Sequence, residues 1–212
     1  MGETIFADQA LIPRFPGIMA NLQYGLHRLD PTKLMHHLGN SGVDVDHMKP
    51  TRLLGRITAI AEAAQAPDLI EISDWLNNNY PKQHDSLSIC HGDLHPNNIL
   101  MHNGEVSGLI DWGNAMFTDP EYDIAVTKTI LSIAPPPDDV GIPEAEIDNM
   151  LEIALADYMA QSHELQDLDK ALIDYYAVLR VGHAYAKVVG KRHGVDIPYV
   201  AHDSYAWDRP DL

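Results

Sequence analysis

Apolar residues recur at helical spacing along most of this chain. Ile18, Leu22 and Leu26 share one face with Met19, and Asp30-Pro31 closes that helix. A short helix is predicted over Thr32 to Leu38, then a Gly42-containing loop from Ser41 to Asp46. Leu53, Leu54, Ile57, Ile60 and Ala61 mark a further helix. Leu69, Ile70, Ser73, Trp75 and Leu76 mark another, which ends before Pro81. The period then changes: Leu87 to Cys90, Ile99 to Met101 and Val106 to Ile110 are short apolar runs that read as strands. Asn103-Gly104 separates the last two and suits a tight hairpin turn, because both residues tolerate positive φ.

Helical spacing returns at Asp119-Pro120, read as an N-cap followed by proline in the first helical position, and runs to Leu131. Pro135-Pro136-Pro137 ends that helix. Two more are predicted, over Pro143 to Ser162 and Leu168 to Val189. The tail from Gly190 holds Pro198 and Pro210, with Trp207 placed to pack back on the body. At the other end, Gly2 to Pro16 has two prolines and no sustained period, and reads as a linker. The expected architecture is mainly α with a small β hairpin region, and the loops beside the strands carry the chemistry.

Composition narrows the function classes. A hydrophobic content of 45% over 212 residues supports a folded core, not a disordered chain. The formal charge is −17, and Lys and Arg do not cluster along the sequence, which argues against a nucleic-acid partner. Cys90 is the only cysteine, so no intrachain disulfide can form; it ends an apolar run and reads as a buried strand position. No leader pattern or bilayer-length apolar span is present, and Phe6 occupies the position where a myristoylation start needs Ser or Thr. The expectation is a cytoplasmic protein with no membrane partner.

The chemistry concentrates in His91-Gly92-Asp93-Leu94-His95-Pro96-Asn97-Asn98 and in Ile110-Asp111-Trp112-Gly113. Kinase-type phosphoryl transfer uses one carboxylate to orient the attacking hydroxyl, and an amide oxygen with a second carboxylate to hold magnesium. Asp93 is the candidate catalytic base; Asn98 and Asp111 are the candidate metal ligands. Singly, each has a plainer reading: a turn-capping carboxylate, an Asx turn, a loop carboxylate before Gly113. The joint spacing favours the chemical one. His91-x-Asp93-x-His95 could also be read as a metallohydrolase cluster, but no further paired histidines supply the remaining ligands. His91 is instead read as a buried hydrogen-bonding residue that holds the loop, and His95 as lining the site or supporting Asp93. Asp119, Glu121 and Asp123 open a helix, where negative charge complements the dipole, a role assigned most firmly to Glu121. Met150, Tyr158, Tyr175 and Tyr176 read as core or half-buried face.

The stretch His91 to Leu100, with Ile110 to Gly113 and Asp119-Pro120-Glu121-Tyr122-Asp123-Ile124-Ala125, strongly resembles the aminoglycoside phosphotransferase family. Leu26-His27-Arg28-Leu29-Asp30-Pro31 is similar to that family's helix before the active site. The resemblance implies a protein-kinase-like fold, Asp93 as the catalytic aspartate, Asn98 and Asp111 as magnesium ligands, and Asp123 as an anchor beneath the catalytic loop. It also implies ATP as co-substrate and a small-molecule hydroxyl acceptor. Family members carry an N-terminal lobe with a glycine-rich loop and a strand lysine. Neither is recognisable before His91: the early glycines form no Gly-x-Gly pattern, and Lys33, Lys49 and Lys82 fall in helices or loops. Residues 1–16 are therefore read as the segment that follows the hinge, and 17–212 as the C-terminal lobe. Two functions follow from that reading. One is a kinase that works when a nucleotide lobe is available. The other is a catalytically silent module that acts by binding, or that needs a partner chain.

Overall fold

In a computed structural model, residues 3–4, 9–82, 87–133 and 144–195 are described. Seven α-helices and two small antiparallel sheets account for most of them. The first helix, α1 (Phe15–His27), starts two residues before the sequence reading, with Pro16 in its first turn, where the missing N–H costs nothing. Within the segment read as a linker, β1 (Glu3–Thr4) pairs with a later strand and Gln9–Arg14 forms a 3-10 turn. A two-residue strand leaves no periodic signal, which is why the sequence did not show it.

Helix α2 (Thr32–Asn40) precedes a 3-10 turn at Val45–Met48. Helices α3 (Pro50–Ala64) and α4 (Pro67–Asn78) both open on proline. Strand β2 (Ser88–Cys90) pairs with β5 (Met116–Thr118), and β3 (Ile99–His102) pairs with β1 and β4 (Glu105–Leu109). The hairpin turn falls on Asn103 and Gly104, with φ of 52° and 77°. Strand β5 was not foreseen. Its three residues are all buried, so no in-out alternation marks it.

Helix α5 (Pro120–Ile133) runs through the centre, with Tyr122 to Thr127 buried. Helix α6 (Glu144–Leu165) packs on α1, and α7 (Lys170–His193) on α3, α4 and α5. The α7 N-cap is Asp169, whose carboxylate accepts from the Ala171 N–H at 2.7 Å. The sequence ends this helix at Val189, but it continues to His193. Gly190 lies against Ile60, the last turn carries Lys191, Arg192 and His193, and Gly194 caps it at φ 64°. The expectations placed on Gly2, Phe6, Pro135 to Pro137, Pro143, Pro198, Trp207 and Pro210 fall outside the described residues. Among the described residues, no helix is long and apolar enough to cross a membrane.

The core joins α1, α3, α4, α5 and α7 through Met19, Ile57, Leu69, Leu76, Ile124, Tyr176 and Leu179. Of the residues read as core or half-buried face, Met150 is 43% exposed, whereas Tyr158 and Tyr176 are fully buried. Gly182 lets α7 approach α3 and α4: a Cβ there would sit 3.1 Å from Ile72 Cγ2 and 3.7 Å from Leu76 Cδ1. Cutting Leu76 back to Ala removes buried methyls from this junction, so Leu76→Ala is expected to lower unfolding free energy by about 2–5 kcal/mol, read from urea melts by circular dichroism. A loss under about 1 kcal/mol would mean the junction is not packed as described.

Candidate active site

Strand β2 delivers the chain into the loop from His91 to Asn98. The sharp reversal is made by Gly92 at φ 72°. A Cβ there would stand 2.0 Å from the carbonyl oxygen of Asn114, so only glycine fits both the angle and the space. Behind the loop, the fully buried Asp123 carboxylate accepts from His91 N–H at 3.0 Å and from Gly92 N–H at 2.8 Å. It also receives His27 Nε2 at 3.1 Å, from α1. Burial alone would raise this carboxyl. The His27 contact and the two backbone N–H groups outweigh burial and hold it below the usual carboxylate range.

Two further hydrogen bonds brace the loop. Thr127 Oγ1 donates to the Leu94 carbonyl at 3.0 Å, and Gln23 Nε2 reaches Thr127 Oγ1 at 2.9 Å. The Tyr158 hydroxyl donates in turn to Gln23 Oε1. Gln23 and His27, one turn apart on α1, are thus polar residues on a buried face. That spacing was the signal by which a sequence reading could have found them.

Asp93 is fully buried. Its carboxylate accepts from Asn98 Nδ2 at 3.1 Å, and its backbone carbonyl accepts from the same nitrogen at 2.9 Å. With the amide nitrogen turned to Asp93, the Asn98 oxygen is the atom left to face a cation. The Asn98 carbonyl accepts from the Ile110 N–H at 3.0 Å, and His91 Nε2 donates to the Ile110 carbonyl at 3.0 Å. The residue before Asp111 is therefore tied to both the start and the end of the Asp93 loop. Asp111 itself is exposed, in left-handed conformation (φ 62°, ψ 62°) just past β4. Burial lowers the His91 and His95 rings below the ordinary histidine value; the Asp111 charge pulls both the other way. His95 Nε2 stands 3.8 Å from Asp93 Oδ2. Asp93, Asn98, His91 and His95 thus share one loop braced from behind by Asp123, and Asp111 follows the strand end bonded to that loop.

Glu121 stands in the first turn of α5, as read, and has a further role. It is fully buried, and Oε1 accepts from the Asp169 N–H at 3.0 Å, tying α5 to the start of α7. Asp119 is also buried and accepts from the Tyr176 hydroxyl at 2.5 Å. Cys90 is fully buried, with its thiol pushed well up by burial, which makes it a packing residue. The donors near the loop, an amide oxygen and a carboxylate, are hard oxygen ligands of the kind magnesium takes.

Residues 2–171 match the phosphotransferase enzyme family, and the chain belongs to it. Over 68 residues it is 37% identical to a hygromycin-B 4-O-kinase of Escherichia coli, a stretch covering 32% of this chain and 18% of that protein. Over 44 residues it is 50% identical to the uncharacterized protein YcbJ of Bacillus subtilis (strain 168), covering 20% of this chain and 14% of that one. In structure it is similar to an aminoglycoside 3'-phosphotransferase of type VIII, with TM-score 0.53 and 21% identity over 86% of this chain and 66% of that one. The fold is thus the C-terminal-lobe arrangement of the protein-kinase-like phosphotransferases. The chain spans just under two thirds of that structure, and the matched stretches are less than a fifth of the two curated relatives. Kinases of this family use ATP and a divalent metal.

Gly92→Ala is expected to cost about 2–4 kcal/mol and to displace the loop, whereas Gly108→Ala, which meets only Leu100 Cδ1 at 3.9 Å, costs under about 1 kcal/mol. Equal melting temperatures for the two variants would contradict the geometry. Asp123 makes a second test. Because its folded pKa lies below the unfolded value of about 3.9, its contribution is complete above that pH and is lost as pH falls through the folded value. The stability lead of wild type over Asp123→Asn is expected to shrink on acidification below about pH 4. A lead that stays constant down to about pH 2 would show that the carboxylate is not gripped as described.

Proposed function

We propose that this chain is the acceptor-side catalytic lobe of a small-molecule kinase, which transfers the γ-phosphoryl group of ATP to a substrate hydroxyl when a nucleotide lobe is available. Asp93 accepts or orients the hydroxyl proton. The acceptor oxygen forms a bond to the γ-phosphorus, the bond from that phosphorus to the bridging oxygen breaks, and ADP leaves with the electron pair. Asn98, through its amide oxygen, and Asp111 are the residues that would hold magnesium, which supplies positive charge to neutralise the phosphates. His91 and Asp123 hold the loop in shape, and His95 stands beside the base.

One observation carries this reading. The hydrogen bonds from Asn98 to Asp93 and from Ile110 to Asn98 link the candidate base to Asn98 and to the strand end just before Asp111, two separate stretches of chain. Such positioning is most of what phosphoryl transfer asks of a protein. Family membership supports the reaction class. The acceptor is a small molecule with a hydroxyl; the relatives' own acceptors do not fix it.

The test is magnesium-dependent ATP turnover, with calorimetric titration of Mg-ATP. Asp93→Ala is expected to lower turnover by about 10²–10⁴-fold while leaving Mg-ATP binding in place. Asp111→Asn is expected to weaken Mg-ATP binding itself. Equal turnover by wild type and Asp93→Ala would remove the catalytic reading for the isolated chain. Heat of Mg-ATP binding that appears only when a nucleotide lobe is added would assign the activity to the assembled pair.

A further inference from the structure

Helix α7 buries only part of its circumference. It packs on α3, α4 and α5 through positions such as Ile173, Tyr176, Leu179, Ala186 and Val189. The side turned away from them lacks the charged surface usual for a helix facing water. Asp174, Val178, Val181, Tyr185, Val188 and Arg192 follow one another in alternating four- and three-residue steps, so they form one seam along the helix. Between Asp174 and Arg192 every seam residue is aliphatic or aromatic. Val178 is 39% exposed and Val181 is 52% exposed. Ala177 and Ala184 lie half-buried beside them, with side chains small enough to let a second helix come close.

The seam reads the same from either end. Two copies of α7 laid antiparallel about His183 set Asp174 opposite Arg192, Val178 opposite Val188, and Val181 opposite Tyr185. Each contact then occurs twice, as a two-fold interface requires. Parallel copies would instead set Asp174 on Asp174 and Arg192 on Arg192. The Asp174 side chain is 48% exposed and already holds Lys170 and, at 3.6 Å, Lys128. An exposed charge pair at the end of the seam therefore adds little attraction and mainly selects direction, while the apolar centre supplies the driving force. Tyr185 is steadied by its hydroxyl, which donates to Asp68 Oδ2 on α4, so its ring is held in place at the seam.

We propose that α7 is a self-association surface, on which a second copy of this chain docks antiparallel through Val178, Val181, Tyr185 and Val188. This goes beyond the phosphotransferase reading and does not depend on it. The seam is roughly 27 Å long at about 1.5 Å per residue. One helix face of that length is small beside the roughly 1,200 Å² of a stable interface, so the dimer forms at micromolar concentrations and not at nanomolar ones.

The test is sedimentation velocity over a series from about 1 to about 500 µM protein, in about 0.3 M salt to screen the charge of −17 on each copy. The average mass is expected to rise from monomer toward dimer. Val181→Glu, with its fold checked by circular dichroism, is expected to weaken the association by at least about tenfold. Direction is read by oxidising the Val178→Cys and Val188→Cys proteins, each alone and then mixed; the native Cys90 is buried. Only antiparallel copies bring the two positions within disulfide reach of each other, so the mixture is expected to link at least about fivefold faster than either protein alone. If Val181→Glu does not fold, the cysteine pair decides. A monomer across the whole series leaves the seam to some other occupant and overturns the proposal. So does association untouched by Val181→Glu, or linking of Val178→Cys to itself as fast as in the mixture.

Discussion

The grip of one buried carboxylate organises this lobe. Asp123 comes from the central helix, yet its oxygens reach the backbone of the loop after β2 and a histidine from the first helix. An isolated ionised carboxylate in such a place would be strongly disfavoured. Three donors make it tolerable, and the same three donors define the loop. The shape of the His91-Gly92 reversal and the ionisation of Asp123 are therefore one fact seen from two sides. Everything nearer the substrate, including the position of Asp93, inherits its geometry from that contact.

The candidate loop was legible in the sequence because it is local. His91, Asp93, Asn98 and Asp111 lie within a short span, and the hairpin between them needs few contacts from elsewhere. The long helices were legible too, since α3 and α5 carry periodic apolar faces opened by proline. What the sequence could not show is assembled over distance. His27 and Asp123 are 96 residues apart, and Gln23 and Thr127 are 104 apart. Strands β1 and β5 are too short to leave a period, and the last turn of α7 depends on Ile60 from another helix. The second role of Glu121, accepting from the Asp169 N–H, was hidden because that partner lies on a later element.

The loop and the helical body are thus built by different means. Around Asp93, backbone hydrogen bonds fix the geometry almost completely, and glycine at one position leaves no alternative. Along α3 and α7, side-chain packing, with Gly182 against Ile57 and Gly190 against Ile60, holds the helices together.

The excess of acidic residues has a kinetic corollary. A molecule of charge −17 repels anions at long range, whatever its interior offers at close quarters. Added salt shortens the reach of that repulsion to about 10 Å at 0.1 M, and leaves contacts inside a partly buried cleft less affected. Capture of a negatively charged guest would then quicken as ionic strength rises, the opposite of the usual attraction between a protein and its oppositely charged ligand.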